Sequence, residues 1–184
     1  VTAILANRGF YYKPHLVKAI GDNKVVKAEY TKKNSAGIDA KYFDPVIEGM
    51  SRVVNAPGGT AYNAKINDIE ICGKTGTVQN PHGDDHSVFI AFAPRINPKI
   101  AIAVVVENAG YGSTWSAPIA SLMIEKYLRD SISRPKYYTD RLVNANLLPG
   151  QKKLYLRPSK KPDTTKSNRK IIQPAVIPTN KRSL

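Results

Sequence analysis

The sequence predicts an α+β fold in which an antiparallel sheet lies between helices. Three strand-like segments follow one another with short connections, at 69–78, 87–93 and 100–107, as in an antiparallel meander. Two helical apolar stripes flank them, one at 46–54 and one at 116–128. The second and third strands are apolar at nearly every position, which predicts that helices cover both faces of the sheet.

The elements that precede the meander are shorter. Residues 1–8 are typical of the last turns of a helix, and Gly9 after them is a common left-handed helix stop. An extended segment then begins at Phe10. Turn residues at 21–23 lie between two runs rich in β-branched residues, and we expect a short hairpin over 16–30.

Two longer helices are marked by their first residues. Asp44 followed by Pro45 is a cap and first-position pair, and the apolar residues at 46–54 recur at helical spacing. The Pro- and Gly-rich segment 55–59 is expected to end this helix. After the third strand, Ser116 is expected to cap the second helix.

The basic charge of the chain is concentrated at its end. The formal net charge is +14, and residues 152–184 carry +9 of it. This segment also holds four prolines and almost no aromatic residues, which predicts a disordered tail. We therefore expect a folded unit at 1–134, a connector at 135–151 and a disordered basic tail at 152–184. A solvated tail without a ligand is favoured over one that binds an anionic polymer.

Composition excludes two classes of protein and indicates a longer parent. The single cysteine rules out an internal disulfide framework. The longest apolar run, 100–106, is far shorter than the roughly 18 residues of a membrane span. The chain opens with apolar residues already at helical spacing and without a signal segment, so we expect it to be part of a longer protein.

The residues that carry candidate chemistry are the Gly-Lys-Thr-Gly-Thr run at 73–77, on the first strand of the meander. Lys74 supplies a positive charge, the threonine hydroxyls supply hydrogen-bond donors, and the glycines let a ligand approach backbone N–H groups. This combination is typical of an anion-binding site. By residue type alone, it also fits an exposed strand whose lysine points to solvent.

Several segments around this run follow a known order. They are Leu-Ala-Asn-Arg-Gly at 5–9, Pro-Gly-Gly-Thr-Ala at 57–61, Lys-Thr-Gly-Thr at 74–77, His-Ser-Val-Phe-Ile-Ala-Phe-Ala-Pro at 86–94 and Pro-Lys-Ile-Ala-Ile-Ala-Val-Val-Val-Glu-Asn at 98–108. The series closely resembles the C-terminal half of the transpeptidase domain of class B penicillin-binding proteins, and most of all the elongation-type, penicillin-binding protein 2-like members. The resemblance covers roughly residues 1–130.

The resemblance implies a peptidoglycan D,D-transpeptidase that cross-links stem peptides through a serine acyl-enzyme. It implies D-Ala-D-Ala stem peptides as substrates and β-lactams as inhibitors, with no cofactor, metal or nucleic acid. Lys74 and Thr77 would be catalytic, and Thr75, Gly76 and Thr77 would bind substrate. The lysine would hold charge near the serine and the substrate carboxylate. Both hydroxyls would bind that carboxylate, and the Thr77 N–H would be an oxyanion donor.

Strand geometry adds a condition to these roles. Alternation along a regular strand sends Lys74 and Thr75 to opposite faces. We expect them to meet one ligand only if this strand edges the site and is twisted or bulged near Gly76.

Two further motifs of the family do not occur in their usual places. No Ser-x-Asn is present, and Ser-x-x-Lys occurs only at 133–136 and 167–170, after Lys74 and outside the required context. We therefore expect the nucleophilic serine on a segment upstream of these residues, and this chain alone to be inactive. Family membership also implies an upstream membrane anchor, a periplasmic location and partners in the elongation machinery.

Two other groups of reactive side chains are given structural interpretations. Cys72 lies between apolar residues and is expected to be a buried filler rather than a thiol nucleophile paired with His82 or His86. Two histidines four residues apart suit zinc only on a helix, and the Pro-His-Gly run indicates a loop, so we expect no metal there. Asp84 and Asp85 belong to the same loop. A hypothesis that the loop lines the substrate groove stays open.

Alternative functions remain at this point. Within the same superfamily, a D,D-carboxypeptidase or β-lactamase differs by using water rather than an amine to resolve the acyl-enzyme. A different class, a non-catalytic basic module that binds an anionic polymer or nucleic acid, rests on the net charge of +14. Its weakness is that most of this charge lies in the predicted tail, without interleaved aromatic residues.

Overall fold

The structure is a computed structural model that describes residues 1–22 and 25–148. The basic tail expected at 152–184 and the Ser-x-x-Lys match at 167–170 lie outside the described residues. The helices are α1 (Thr2–Ala6), α2 (Ala28–Thr31), α3 (Phe43–Asn55), α4 (Ser116–Arg129) and α5 (Lys136–Val143), and the strands are β1 (Phe10–Tyr11), β2 (Asn34–Ser35), β3 (Cys72–Val78), β4 (His86–Ala93) and β5 (Ile100–Val106). Two 3₁₀ turns lie at Ala40–Tyr42 and Tyr62–Ala64.

The predicted meander is confirmed. Strands β3, β4 and β5 form an antiparallel sheet in that order. Residue pairs advance one by one along β3 and β4, from Cys72 opposite Phe92 to Val78 opposite His86, so β3 contains no bulge. Among the described residues, β3 pairs with β4 alone and is therefore an edge strand.

Strand β4 is covered on both faces, as its continuous apolar run predicts: one face is fully buried, and on the other Phe92 is buried and Val88 and Ile90 are half-buried. Phe89 and Ala91 point to one face and pack with Ile124 of α4. Phe92 points to the opposite face, where it packs with residues of α1 and α3 such as Ile47. Helices on both sides of a three-stranded sheet confirm the α+β fold class.

Strand β5 does not follow the same prediction. Its residues alternate between half-buried and exposed, and Ala101, Ala103 and Val105 are exposed. They lie on the face where α1 packs, and a helix of five residues is only about 7.5 Å long, too short to cover the whole face. The prediction that both faces are covered is therefore correct for β4 and wrong for β5 within the described residues.

The hairpin expected over 16–30 is reduced to one bridge between Ile20 and Val25. Leu16 and both bridge residues are exposed, so no apolar surface supports a longer two-stranded ladder. The chain then forms α2, where Glu29 accepts a hydrogen bond from Lys13 at 2.5 Å. The strand prediction is wrong for this part of the segment.

The longer helices end where predicted, but both predicted N-caps are wrong. The 3₁₀ turn at Ala40–Tyr42 runs directly into α3, so the helix begins at Phe43, Tyr42 is its N-cap and Asp44 lies inside the first turn; the helix ends at Asn55. Helix α4 begins at Ser116, but Ser116 is not its cap, because its hydroxyl donates to the carbonyl of Gly112 at 2.9 Å. Helix α5 lies inside the segment 135–151, where only a connector was expected.

Candidate active site

The candidate site lies on β3, which passes from the core to an open edge. Cys72 and Gly73 are buried, whereas Lys74 and Thr77 are exposed. Thr75 and Gly76 between them are half-buried. The strand is therefore anchored at its start and presents the Lys-Thr-Gly-Thr run where a ligand can approach.

The side chains of Lys74 and Thr75 lie on opposite faces of the sheet, because successive residues of a regular strand alternate. Their partners on β4, Ile90 and Phe89, alternate in the same way. The ammonium of Lys74 nevertheless turns back and donates a hydrogen bond to the carbonyl oxygen of Thr75 at 2.8 Å. Edge position thus meets the first half of the condition derived from the sequence. A bulge is not present, and the length of the lysine side chain brings its charge to the strand backbone instead.

The Pro-Gly-Gly-Thr-Ala segment at 57–61 is brought against this run. The hydroxyl oxygens of Thr60 and Thr75 are 3.3 Å apart, within hydrogen-bond distance. Gly59 makes the close approach possible, since a Cβ atom there would lie 2.3 Å from the carbonyl oxygen of Val53. Sequence reasoning did not identify Thr60 as a site residue, although the match of 57–61 to the family order was a signal for it.

The loop between β5 and α4, residues 107–115, packs against Gly76. A Cβ atom on Gly112 would lie 2.2 Å from the carbonyl oxygen of Val88 and 2.7 Å from that of Gly76, so only glycine allows this contact. The hydroxyl of Ser87 holds the loop by donating to the carbonyl of Tyr111 at 3.0 Å and accepting from the N–H of Ser116 at 3.1 Å. Backbone packing therefore fixes the surroundings of Gly76.

Cys72 is confirmed as a buried filler. Its side chain is fully buried beside Phe92. Burial raises the pKa of the Cys72 thiol to about 12, and the nearby Glu70 carboxylate adds to the rise. A thiol of this kind is not a thiolate at neutral pH, which rules out the alternative nucleophile.

The loop 79–85 is held by its own polar contacts and by Asn108. The amide of Asn80 donates to the side-chain oxygen of Asn108 at 2.8 Å, and the backbone N–H of Asn108 donates to His86 Nδ1 at 3.0 Å. Over the described ranges, no group of three or more His, Cys, Asp or Glu side chains is arranged to hold a metal ion. A contact between this loop and substrate stays a prediction.

The Ser-x-x-Lys match at 133–136 has a structural role. Both the hydroxyl and the N–H of Ser133 donate to the carboxylate of Glu125, which is fully buried on α4. Pro135 then precedes α5, so the serine does not begin a helix with the lysine one turn on. The serine is committed to a buried carboxylate rather than to the candidate site.

No helix in the described part of the chain is long and apolar enough to cross a bilayer.

Three comparisons place the chain among known proteins. The penicillin binding protein transpeptidase domain family matches residues 1–125. Peptidoglycan D,D-transpeptidase MrdA of Haemophilus influenzae is 34% identical over 157 residues, covering 74% of this chain and 24% of that protein. The chain thus spans about a quarter of the length of this curated relative.

Two solved structures share the fold. The crystal structure of Pseudomonas aeruginosa PBP2 in complex with WCK 5153 is 38% identical, with a TM-score of 0.60, and covers 71% of this chain and 28% of that one. The imipenem acyl-enzyme complex of penicillin-binding protein A from M. tuberculosis is 29% identical, with a TM-score of 0.57, covering 70% of this chain and 29% of that one.

Proposed function

Because the chain belongs to the transpeptidase family of the penicillin-binding proteins, as part of the transpeptidase domain of a class B, penicillin-binding protein 2-like member, we propose that the whole protein is a peptidoglycan D,D-transpeptidase. The observation that carries this proposal is the edge strand β3. It presents Lys74, Thr75 and Thr77 on a strand whose other end is anchored in the core. The alternative of a non-catalytic basic module finds no support in these relatives.

The proposed reaction is an acyl transfer in two steps. A serine outside these 184 residues attacks the carbonyl carbon of the D-Ala-D-Ala bond, and its proton passes to the terminal D-Ala, which leaves as the free amino acid. The amine of a neighbouring stem peptide then attacks the acyl-serine ester. The new amide forms the cross-link and the serine regains its proton.

The residues of β3 supply charge and hydrogen-bond donors to this reaction. The ammonium of Lys74 lies beside the backbone of Thr75, and its charge would stabilise the substrate carboxylate and the serine network. The Thr75 hydroxyl, which Thr60 contacts, and the exposed Thr77 hydroxyl would bind the same carboxylate. The N–H of Thr77 would be one oxyanion donor, a contribution of about 2.7–4 kcal/mol in comparable sites.

The partners and location follow as further proposals. An imipenem acyl-enzyme complex of a relative supports β-lactams as covalent inhibitors of this protein. We also propose a membrane anchor elsewhere in the whole protein, a periplasmic catalytic domain and contacts with the elongation machinery. Within this chain, residues 1–134 would be transpeptidase domain, 135–151 a connector and 152–184 a basic tail.

The first test is the intact mass of the full-length protein after incubation with a penicillin. We expect one adduct per protein. The Lys74→Ala variant should acylate about 100-fold more slowly or worse, the usual range for loss of a proton-transfer or charge-stabilising group. Lys99→Ala, an exposed lysine just before β5, is the matched control and should acylate at the wild-type rate. No adduct on folded protein, or wild-type acylation of Lys74→Ala, would contradict the proposal.

A second test separates transfer from hydrolysis. The full-length protein is incubated with a stem peptide that ends in D-Ala-D-Ala and with an amine acceptor peptide, and the masses of the products are measured by mass spectrometry. A transpeptidase releases D-Ala and forms a product with the summed mass of donor and acceptor less D-Ala. A shortened donor alone would indicate a D,D-carboxypeptidase.

A further inference from the structure

Helix α5 follows the residues that match the family, and its contacts reach the segments that flank Thr75, Gly76 and Thr77. We propose that Arg141 on α5 is a positioning residue, which acts through the loop 107–115 to fix the direction of the Thr77 N–H. This inference rests on the proposed function, since it concerns the oxyanion donor of that reaction.

Arg141 holds the end of the loop in two ways. Its guanidinium donates to the carbonyl oxygen of Thr114 at 2.8 Å. It also lies over the ring of Trp115, with 4.9 Å between the guanidinium carbon and the ring centroid. A planar guanidinium can make both contacts at once, stacking on an aromatic ring while it donates in its own plane. The two residues before α4 are therefore tied to α5.

The loop transmits this restraint to β3 through backbone contact. Gly112 lies against the carbonyl oxygen of Gly76, with no space for a methyl group between them. The Gly76 carbonyl and the N–H of Thr77 belong to one planar peptide unit. A rotation of this unit that moves the carbonyl oxygen therefore also turns the N–H. A loop packed on the Gly76 carbonyl thus restricts the direction in which the Thr77 N–H points.

The 62–64 turn, which follows Thr60, is tied to the same helix. The hydroxyl of Tyr138 donates to the carbonyl of Asn63 at 3.0 Å, and the Asn63 amide donates to the carbonyl of Ser113 at 2.8 Å. Asn63 lies three residues after Thr60, which contacts Thr75. Helix α5 therefore contacts both the 62–64 turn and the loop 107–115, and these two segments also contact each other through Asn63 and Ser113.

The test measures acylation of the full-length protein by a chromogenic penicillin, with the acylation rate constant k2 and the dissociation constant Ks determined separately. For Arg141→Ala we expect k2 to fall about five- to twentyfold, since a sub-ångström misplacement of a donor costs rate rather than affinity, and Ks to change less than twofold. Arg141→Lys keeps a donor for Thr114 without the planar stack and should recover part of k2. Lys136→Ala, at a side chain 89% exposed on the same helix, is the control and should leave both constants unchanged.

Thermal unfolding of each variant distinguishes positioning from simple helix docking. If Arg141→Ala lowers Tm but the folded fraction acylates with wild-type k2, the proposal is overturned. A rise in Ks without a fall in k2 also overturns it. Should Arg141→Ala not fold, wild-type k2 in Arg141→Lys is the contradicting result. Failure of the wild-type protein to acylate would instead overturn the proposed function itself.

Discussion

The two halves of strand β3 meet opposite demands within seven residues. Cys72 and Gly73 are buried, and packing dictates both residue types: Cys72 belongs to the hydrophobic cluster of Phe92, and Gly73 lies against the ring of Phe89, where no side chain fits. From Lys74 onward the strand is exposed or half-buried, and its residue types are those that bind anions. The buried half of β3 (72–73) therefore holds the exposed half (74–78) in place, because backbone pairing with β4 continues without interruption through both.

Gly73→Ala, in the buried half of β3, should give the largest effect, a loss of stability. A Cβ atom at this position would lie 2.3 Å from Cζ of the fully buried Phe89, which has no space to move. We expect the free energy of unfolding to fall by about 1–3 kcal/mol, measured by urea denaturation. In the exposed half, Gly76→Ala meets Val88 at 3.4 Å, and its unfolding free energy should stay within about 0.5 kcal/mol of wild type. Equal losses for the two variants would contradict the division of the strand.

Thr77→Ala, in the exposed half of β3, should give a smaller effect, which concerns ligand binding rather than stability. The substitution removes a hydroxyl but keeps the backbone N–H, so substrate carboxylate binding should weaken while the oxyanion donor remains. We expect Ks for a penicillin to rise about tenfold, equivalent to about 1.4 kcal/mol, with k2 and stability little changed. Thr77→Ser keeps the hydroxyl and should behave like wild type. A greater fall in k2 than rise in Ks would show that the hydroxyl acts in the acylation step.

The smallest effect is expected on the free energy of unfolding at acid pH, and it concerns Glu70, two residues before the buried half of β3. A hydrogen bond from Ser51 at 2.6 Å and the Arg95 guanidinium at 3.0 Å hold the pKa of Glu70 below its ordinary value of 4.5. A lowered pKa in the folded state contributes stability above pH 4.5 that is lost as pH falls below it. Glu70→Gln should therefore flatten the fall in unfolding free energy below pH 4.5, by less than about 1 kcal/mol.

The matched variant for this prediction is Ser51→Ala. It removes the main cause of the lowered pKa and should flatten the same acid limb in urea titrations between pH 3 and 7. If the unfolding free energy of wild type and of Glu70→Gln falls by the same amount below pH 4.5, this carboxylate does not couple pH to folding.

Local patterns predicted the elements whose signals lie close together in the chain. Continuous apolar runs identified β4 and β5, and Asp44 with Pro45 located the start of α3 to within two residues, although Tyr42 rather than Asp44 is its N-cap. The pattern failed where an element depends on distant partners. The alternating burial of β5 reflects how far α1 extends over the sheet, and the single bridge at Ile20 reflects the lack of apolar surface to support a longer ladder. An apolar run in the sequence encodes neither.

The candidate site shows the same division. Lys74, Thr75, Gly76 and Thr77 were found from residue types and order, and their roles remain proposals. Thr60 was missed because its partner lies fifteen residues away, beyond any helical or strand period. Ser116 was misassigned as a cap because the same hydroxyl can satisfy a helix end or a nearby carbonyl, and Gly112 offered the carbonyl.

Periodicity, turn chemistry and motif order are properties of neighbouring residues, and they were enough to predict the meander, the two flanking helices and the Lys-Thr-Gly-Thr run with its family resemblance. The edge position of β3, the packing of Gly112 on the Gly76 carbonyl and the contact of Arg141 with the loop before α4 became visible only in the folded chain. These features join residues from distant parts of the chain. Their contacts are selected by close packing of the whole core, which no local pattern records.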